Sequence, residues 1–204
     1  MLKFLQGLPH AFKTALTIPD RTRWTKNPRT EPVWDDRNRI IARLIPPQSR
    51  VLDLGSGAQT LRRHLAHSCS YVPCDLVQSS PDCEVVDFNL GIYPSMAKTY
   101  DYSVASGVLE YLRNPSDFLV RVQVYAPVTI LTYEPARVKP RERLRRLSNG
   151  FVNHMGQNEL EKLFKSSGFR FREVGVWLGQ IVYRLNTTSQ KDSDVRRCHK
   201  DAEA

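Results

Sequence analysis

The sequence has no long apolar run. No stretch approaches the roughly 20 consecutive apolar residues that a membrane-spanning helix needs. Cysteine is scarce: Cys69, Cys74, Cys83 and Cys198 are the four, and none stands in a Cys-x-x-Cys or metal-finger spacing. That pattern argues against a disulfide scaffold or a zinc module and predicts reduced thiols in a cytoplasmic protein. The five histidines, His10, His64, His67, His154 and His199, are scattered, so no metal centre is expected. No internal repeat is present. Residues 1–18 carry apolar side chains, but Gly7, Pro9, His10 and Lys13 break them up and no small-residue cleavage site follows. The segment therefore does not read as a signal peptide.

What remains is an ordinary globular composition over 204 residues, enough for one domain with a real core. The formal net charge of +9 is concentrated in two places. Residues 1–30 hold six basic residues against Asp20. Residues 137–146 hold Arg137, Lys139, Arg141, Arg143, Arg145 and Arg146 against Glu142. The rest of the chain is close to neutral. Focused charge of this kind steers anions. The domain reading is a basic amphipathic segment over 1–32, a catalytic-type domain over 33–185 with a basic insertion at 134–155, and a disordered polar tail over 186–204. Leu5, Leu8, Phe12, Ala15 and Leu16 fall at helical spacing within the first segment. That stretch reads as a helix packed on the domain, a lid, or a membrane-surface helix.

The chain is organised around Arg50-Val51-Leu52-Asp53-Leu54-Gly55-Ser56-Gly57, read as strand, tight turn and helix. Glycines at 55 and 57 let a ligand approach the backbone, and a helix over 59–66 would aim its N-terminal amides at that ligand. A dinucleotide loop would need Gly-x-Gly-x-x-Gly, and its third glycine is Thr60 here. Asp53 also argues against a pyrophosphate beside it and for an ammonium or sulfonium group. Further strands are read at 70–74, 83–88, 100–106, 127–132, 169–176 and 180–185. Helices are read at 33–44, from Asn114 as N-cap, and from Gly156. The last two strands are joined by so few residues that they must pair antiparallel. Asp75 ends the second strand, 18 residues after Gly57. It reads as a turn cap or as the acid that grips a ribose diol.

Val51-Leu52-Asp53-Leu54-Gly55-Ser56-Gly57 resembles the first motif of class I S-adenosylmethionine-dependent methyltransferases, with Gln59 where the family usually has a third glycine. Asp87-Phe88-Asn89 resembles the family's adenine-recognition segment. Ser106-Gly107-Val108-Leu109-Glu110-Tyr111-Leu112 resembles the segment beneath the sulfonium. The resemblance covers roughly 50–185. It implies an α/β, Rossmann-like methyltransferase fold: a seven-stranded, mostly parallel sheet closed by an antiparallel hairpin, with helices on both faces. It implies S-adenosyl-L-methionine as cofactor, held by Asp53, Gly55, Ser56, Gly57, Asp75, Leu76, Asp87, Phe88, Ser106 and Gly107.

The reaction so implied is direct in-line methyl transfer, with O-methylation of a small-molecule or sugar-type acceptor as the default. No Asn-Pro-Pro-Tyr-like tetrad follows the fourth strand, which argues against methylation of base or glutamine amino groups. His154, Glu134 and Tyr111 are the expected catalytic residues, His154 first because a free histidine titrates near pH ~6.5. Arg141, Arg143 and Arg145 are the expected substrate-binding residues, and they predict an anionic acceptor, with nucleic acid as the second choice. Helical spacing puts Leu144 and Leu147 on one inward face and the arginines outside. A non-catalytic binding protein on the same fold, recruiting an anionic partner, is the alternative.

Overall fold

The computed structural model describes residues 32–95, 99–137 and 140–188, with backbone only at 32, 33, 140 and 141. The readings for the N-terminal segment and for residues 189–204 lie outside the described residues. Helix α1 spans Pro32–Ala42 and strand β1 spans Arg50–Leu54. They are followed by β2 (Ser70–Asp75), β3 (Glu84–Val85), β4 (Tyr102–Ser106), α2 (Pro115–Val122) and β5 (Val128–Tyr133). The chain continues through α3 (Pro140–Ser148), α4 (Gln157–Ser166), β6 (Phe169–Trp177) and β7 (Gln180–Thr187). Among the described residues, no helix is long and apolar enough to cross a membrane.

The seven strands form one sheet in the order β3-β2-β1-β4-β5-β7-β6. β1 pairs parallel with both β2 and β4, so the chain changes direction across the sheet between β1 and β4. Only β7 runs against its neighbours, antiparallel to β5 and to β6. Successive strand side chains point to opposite faces, and both faces are covered. Leu52, Leu54, Ala105, Leu131 and Tyr183 meet Phe118, Leu119 and Val122 of α2 and Leu160 and Phe164 of α4. Val51, Val104, Ile130 and Val182 meet Ile41 and Ala42 of α1 on the other face. Asp53 shares the parity of Val51, which turns it toward α1.

Local chemistry sets the helix starts. Asn114 accepts a hydrogen bond from Asp117 N at 3.1 Å, with Pro115 in the first turn of α2. Glu159 accepts from Gly156 N at 2.7 Å at the start of α4. Three elements differ from the sequence reading. The helix expected over 59–66 is a short 3-10 turn, Thr60–Arg63. The fifteen residues between β1 and β2 supply the glycine loop, this turn and the return to the sheet, and Gln59, just before the turn, holds a left-handed backbone that an α-helix cannot include. The third strand shrinks to Glu84–Val85, because Asp87 caps a 3-10 turn that begins at Phe88. β7 runs on to Thr187, because Asn186 pairs with Val128, which takes the strand into the region read as tail.

The basic helix α3 packs the opposite way from its reading. Leu144 is 69 % exposed, and Arg146 is buried at 1 %. The Arg146 guanidinium donates to Glu134 O (2.6 Å), Asn153 O (3.3 Å), Tyr133 Oη (3.3 Å) and His154 Nδ1 (3.3 Å). It also lies over the Phe151 ring at 4.9 Å. A planar cation with five donors can satisfy an irregular backbone segment that leucine cannot.

Candidate functional site

A cavity of about 990 Å³ opens at the C-terminal ends of β1, β2, β4 and β5, beside the point where the chain changes direction. This is where open α/β sheets place ligands. The volume lies at the upper end of the ~300–1,000 Å³ typical of small-molecule sites. All ten residues expected to hold the cofactor line it: Asp53, Gly55, Ser56, Gly57, Asp75, Leu76, Asp87, Phe88, Ser106 and Gly107. They come from four separate strand ends, so the sheet alone brings them together.

The glycine loop is bound to β2. Gly55 N and Ser56 N both donate to Cys74 O, at 2.8 and 3.0 Å. Asp75 accepts from Gly57 N at 2.7 Å and from Val77 N at 3.3 Å. The acid therefore caps the turn and lines the cavity at once. Burial pushes its carboxyl up, and the backbone donors of Gly57, Val77 and Leu76 oppose that. The loop amides are thus already used by β2, and the short turn after them offers no helix dipole to a ligand.

The two loop glycines have different reasons. A Cβ on Gly55 would lie 2.5 Å from Val108 Cγ2, at a φ of +81°. Gly55 makes room for protein. A Cβ on Gly57 would meet nothing within 4 Å, at a φ of +53°. Gly55→Ala is expected to cost about 2–5 kcal/mol, combining overpacking of ~1–3 with a left-handed backbone cost of ~1–2 kcal/mol. Gly57→Ala should cost only the latter. Urea denaturation of the two variants separates them, and equal losses would contradict this packing.

Gln59 occupies the third-glycine position and keeps a glycine-like, left-handed backbone, with φ +56°. Its side chain turns sideways, donating to the hydroxyls of Ser79 (2.9 Å) and Ser80 and accepting from Arg62 (3.2 Å). It ties the first loop to the second at the cavity edge. Asp87 accepts from Asn89 N at 3.0 Å and Leu90 N at 3.2 Å. Phe88 stands 5.0 Å from the Phe118 ring and 5.3 Å from Tyr93, so the core holds it rigidly at the wall.

Of the buried acids on the cavity wall, two have raised carboxyls. Asp53 accepts from Tyr71 Oη at 2.6 Å through Oδ2. Burial pushes its carboxyl up to about 7, against the Tyr71 hydrogen bond and Arg37. Glu110 accepts from Glu134 N at 2.9 Å through Oε1, and its Oε2 has no partner. Burial raises this carboxyl to about 7 as well, with Arg37 and Arg146 pulling the other way.

Of the expected catalytic residues, Glu134 and Tyr111 line the cavity and His154 does not. His154 turns toward Arg146, and burial together with Arg146 and Arg143 lowers its pKa. The structure thus places it outside the wall. Of the residues expected to bind substrate, Arg143 and Arg145 do not line the cavity either. Arg145 is paired with Glu134 and, at 2.6 Å, with Glu142. Arg143 is exposed, and the Arg141 side chain is not described. His64, which has no acidic neighbour in sequence, pairs with Asp35 across space at 2.8 Å.

The wall also contains Arg37 and Asn38 of α1, which the sequence reading passed over. The available clue was helical spacing: Trp34, Arg37, Asn38 and Ile41 form one i, i+3, i+4, i+7 stripe, and its two middle positions are polar. A polar gap in an inward stripe marks something polar inside.

No protein-family model and no curated protein matches the sequence. Solved structures do. A Nostoc punctiforme protein named as a candidate O-methyltransferase is 13 % identical, with a TM-score of 0.64 over 87 % of this chain and 66 % of its own. The chain has the class I methyltransferase fold. An S-adenosylmethionine-dependent methyltransferase from Aquifex aeolicus is 16 % identical, with a TM-score of 0.60 over 83 % of this chain and 99 % of its own. Human N-acetylserotonin methyltransferase, solved with S-adenosylmethionine, is 16 % identical, with a TM-score of 0.59 over 77 % of this chain and 53 % of its own. The chain therefore spans about half to two thirds of two of these neighbours and nearly all of the third. The sheet order and the closing antiparallel hairpin agree with the fold expected from the glycine motif.

Proposed function

We propose that the protein is an S-adenosylmethionine-dependent methyltransferase that moves a methyl group directly onto an oxygen of a small acceptor. The observation that carries this reading is Asp75, half-buried at the end of β2 and fixed by Gly57 N at 2.7 Å, on the wall of one cavity with Asp53 and Asp87. The residues suit the cofactor. Asp53 Oδ1 makes no hydrogen bond among the described residues and would supply negative charge for an ammonium or sulfonium, while the open space at Gly57 would admit a chain passing over the loop. When bound, the cofactor supplies a methyl group already activated by a positive sulfur.

The protein's part is placement, which is worth up to ~7–11 kcal/mol when donor and acceptor are well aligned. Asp75 would take the ribose hydroxyls and Phe88 would cover the adenine ring. Ser106 and Gly107, at the end of β4, would lie beneath the reacting end. Glu134, just past the end of β5, would receive a proton from the acceptor. The Nostoc punctiforme neighbour, named as a candidate O-methyltransferase, supports an oxygen acceptor.

The test is binding first. S-adenosylhomocysteine at 100 times its dissociation constant should stabilise the protein by about 2.7 kcal/mol. Asp75→Ala should weaken that binding by ~1.5–3 kcal/mol, the worth of hydrogen bonds to a charged group. No stabilisation at millimolar ligand would rule out the methyltransferase reading. Binding with no turnover on any hydroxylated acceptor would support the non-catalytic alternative.

A further inference from the structure

Arg37, a residue of the cavity wall, carries an unused hydrogen-bonding edge. The residue is 7 % exposed and belongs to the cavity wall. Its Nη1 donates to Gln180 Oε1 at 3.0 Å, and Gln180 Oε1 also accepts from Thr132 Oγ1 at 3.1 Å. Its Nε is buried without a partner, and among the described residues Nη2 makes no hydrogen bond. Asp53 and Glu110 lend their charge from a distance, but neither forms an ion pair with it. Nε and the outer Nη form the side-on fork with which arginine grips a carboxylate through two parallel bonds. A buried charge left with this edge empty is costly unless something occupies it.

The guanidinium is also held in place. Its carbon lies 5.8 Å from the Trp34 ring and 5.4 Å from the Trp177 ring. It packs so closely on Gly107 that a Cβ there would lie 2.8 Å from Nη1. Through Gln180 and Thr132 the fork is anchored over β5 and β7, across β4 from Asp75 and Asp87. The nucleoside positions lie on one side of Gly107 and the fork on the other.

Resting on the methyltransferase reading, we propose that Arg37 is a carboxylate-binding site for the acceptor, which is a small carboxylic acid with an apolar or aromatic body. The fork takes the carboxylate, and Trp34 gives the body an apolar wall. Recognition of an anion thereby moves from α3, where Arg145 is held by Glu134 and Glu142, to α1.

Carboxylates come from two sources here, since the cofactor's amino-acid end carries one too. The test uses S-adenosylhomocysteine, methylthioadenosine (the same nucleoside without the amino-acid end), benzoate and its neutral isostere benzamide. With protein saturated by S-adenosylhomocysteine, ligand-observed NMR should show benzoate binding and no comparable benzamide binding. Arg37→Gln should weaken benzoate by about tenfold or more, the scale of a lost bidentate charged pair. Arg37→Lys, which keeps the charge and the fold but loses the fork, should weaken it as well. Both variants should bind S-adenosylhomocysteine within about twofold of wild type. If Arg37→Lys lowers affinity for S-adenosylhomocysteine but not for methylthioadenosine, the fork holds the cofactor's own carboxylate and the acceptor assignment is overturned. Equal binding of benzoate and benzamide to the wild type overturns it without any variant. Absence of S-adenosylhomocysteine binding to the wild type would instead refute the methyltransferase reading itself.

Discussion

Arg146→Met is expected to destabilise the protein by about 2–6 kcal/mol, although it removes a charge from the interior. The side chain volume is nearly kept, so the cost lies in what Arg146 satisfies. Glu134 O and Asn153 O lose their donors, and a buried acceptor left unsatisfied costs ~1–3 kcal/mol. The effect should spread to the site. Val152 N donates to Glu110 O at 2.8 Å, and Asn153 Nδ2 donates to Leu112 O at 3.1 Å. The segment Arg146 holds therefore braces the loop after β4. Amide exchange should rise over 149–156 and 109–112 together. A loss under about 1 kcal/mol in urea denaturation, or exchange confined to α3, would show that Arg146 is not the brace. The usual worth of a surface arginine is far smaller, because screening and side-chain entropy take most of it.

Arg146 also shows where a sequence becomes illegible. Elements with a local cause could be read directly. Asn114-Pro115-Ser116-Asp117 contains its own cap, and Gly168 at φ +81° ends α4 as a glycine beyond a helix does. The β6–β7 hairpin follows from a connection too short for anything else. That the ten positions expected to hold the cofactor would line one cavity was legible because strand ends and their turns gather at one edge of a sheet of this order. What could not be read was settled across space. Leu144 and Leu147 share a face, but that face is decided by carbonyls at 134 and 153 that need a donor. Arg37 looks like a surface charge on α1 until Gln180, from the far end of the chain, is placed against it. The stretch after Gly57 carries a helical pattern in Leu61 and Leu65, both buried, yet behind the left-handed Gln59 it closes only a short 3-10 turn.

The buried acids predict a stability that falls as pH rises, the reverse of ordinary acid denaturation. Asp53 and Glu110 have carboxyls raised to about 7 in the folded protein, mainly by burial. In the unfolded chain they titrate near ~4. Between these values the folded state holds the protons and the unfolded state has released them. The favourable contribution is therefore complete below pH ~4 and is lost as pH climbs through about 7. Each pKa unit is worth ~1.4 kcal/mol, so one such group accounts for a few kcal/mol over the window, to order of magnitude. Asp35, Asp82 and Asp101 are shifted the other way, toward lower pKa, so their contributions vanish as pH falls. They lie at the surface, where screening keeps such terms small. The clean measurement is the difference between wild type and Asp53→Asn, which cancels the other groups. The asparagine variant should gain on wild type by about 2–3 kcal/mol between pH 5 and pH 8. A ligand bearing an ammonium or sulfonium should favour the ionised acid, so S-adenosylmethionine should bind more tightly toward pH 8 and release a proton on binding below pH 7. Calorimetry in buffers of different ionisation enthalpy measures that proton. A difference curve flat with pH, together with no proton release, would mean that Asp53 is already ionised in the folded protein and that the cavity is wetter than its burial implies.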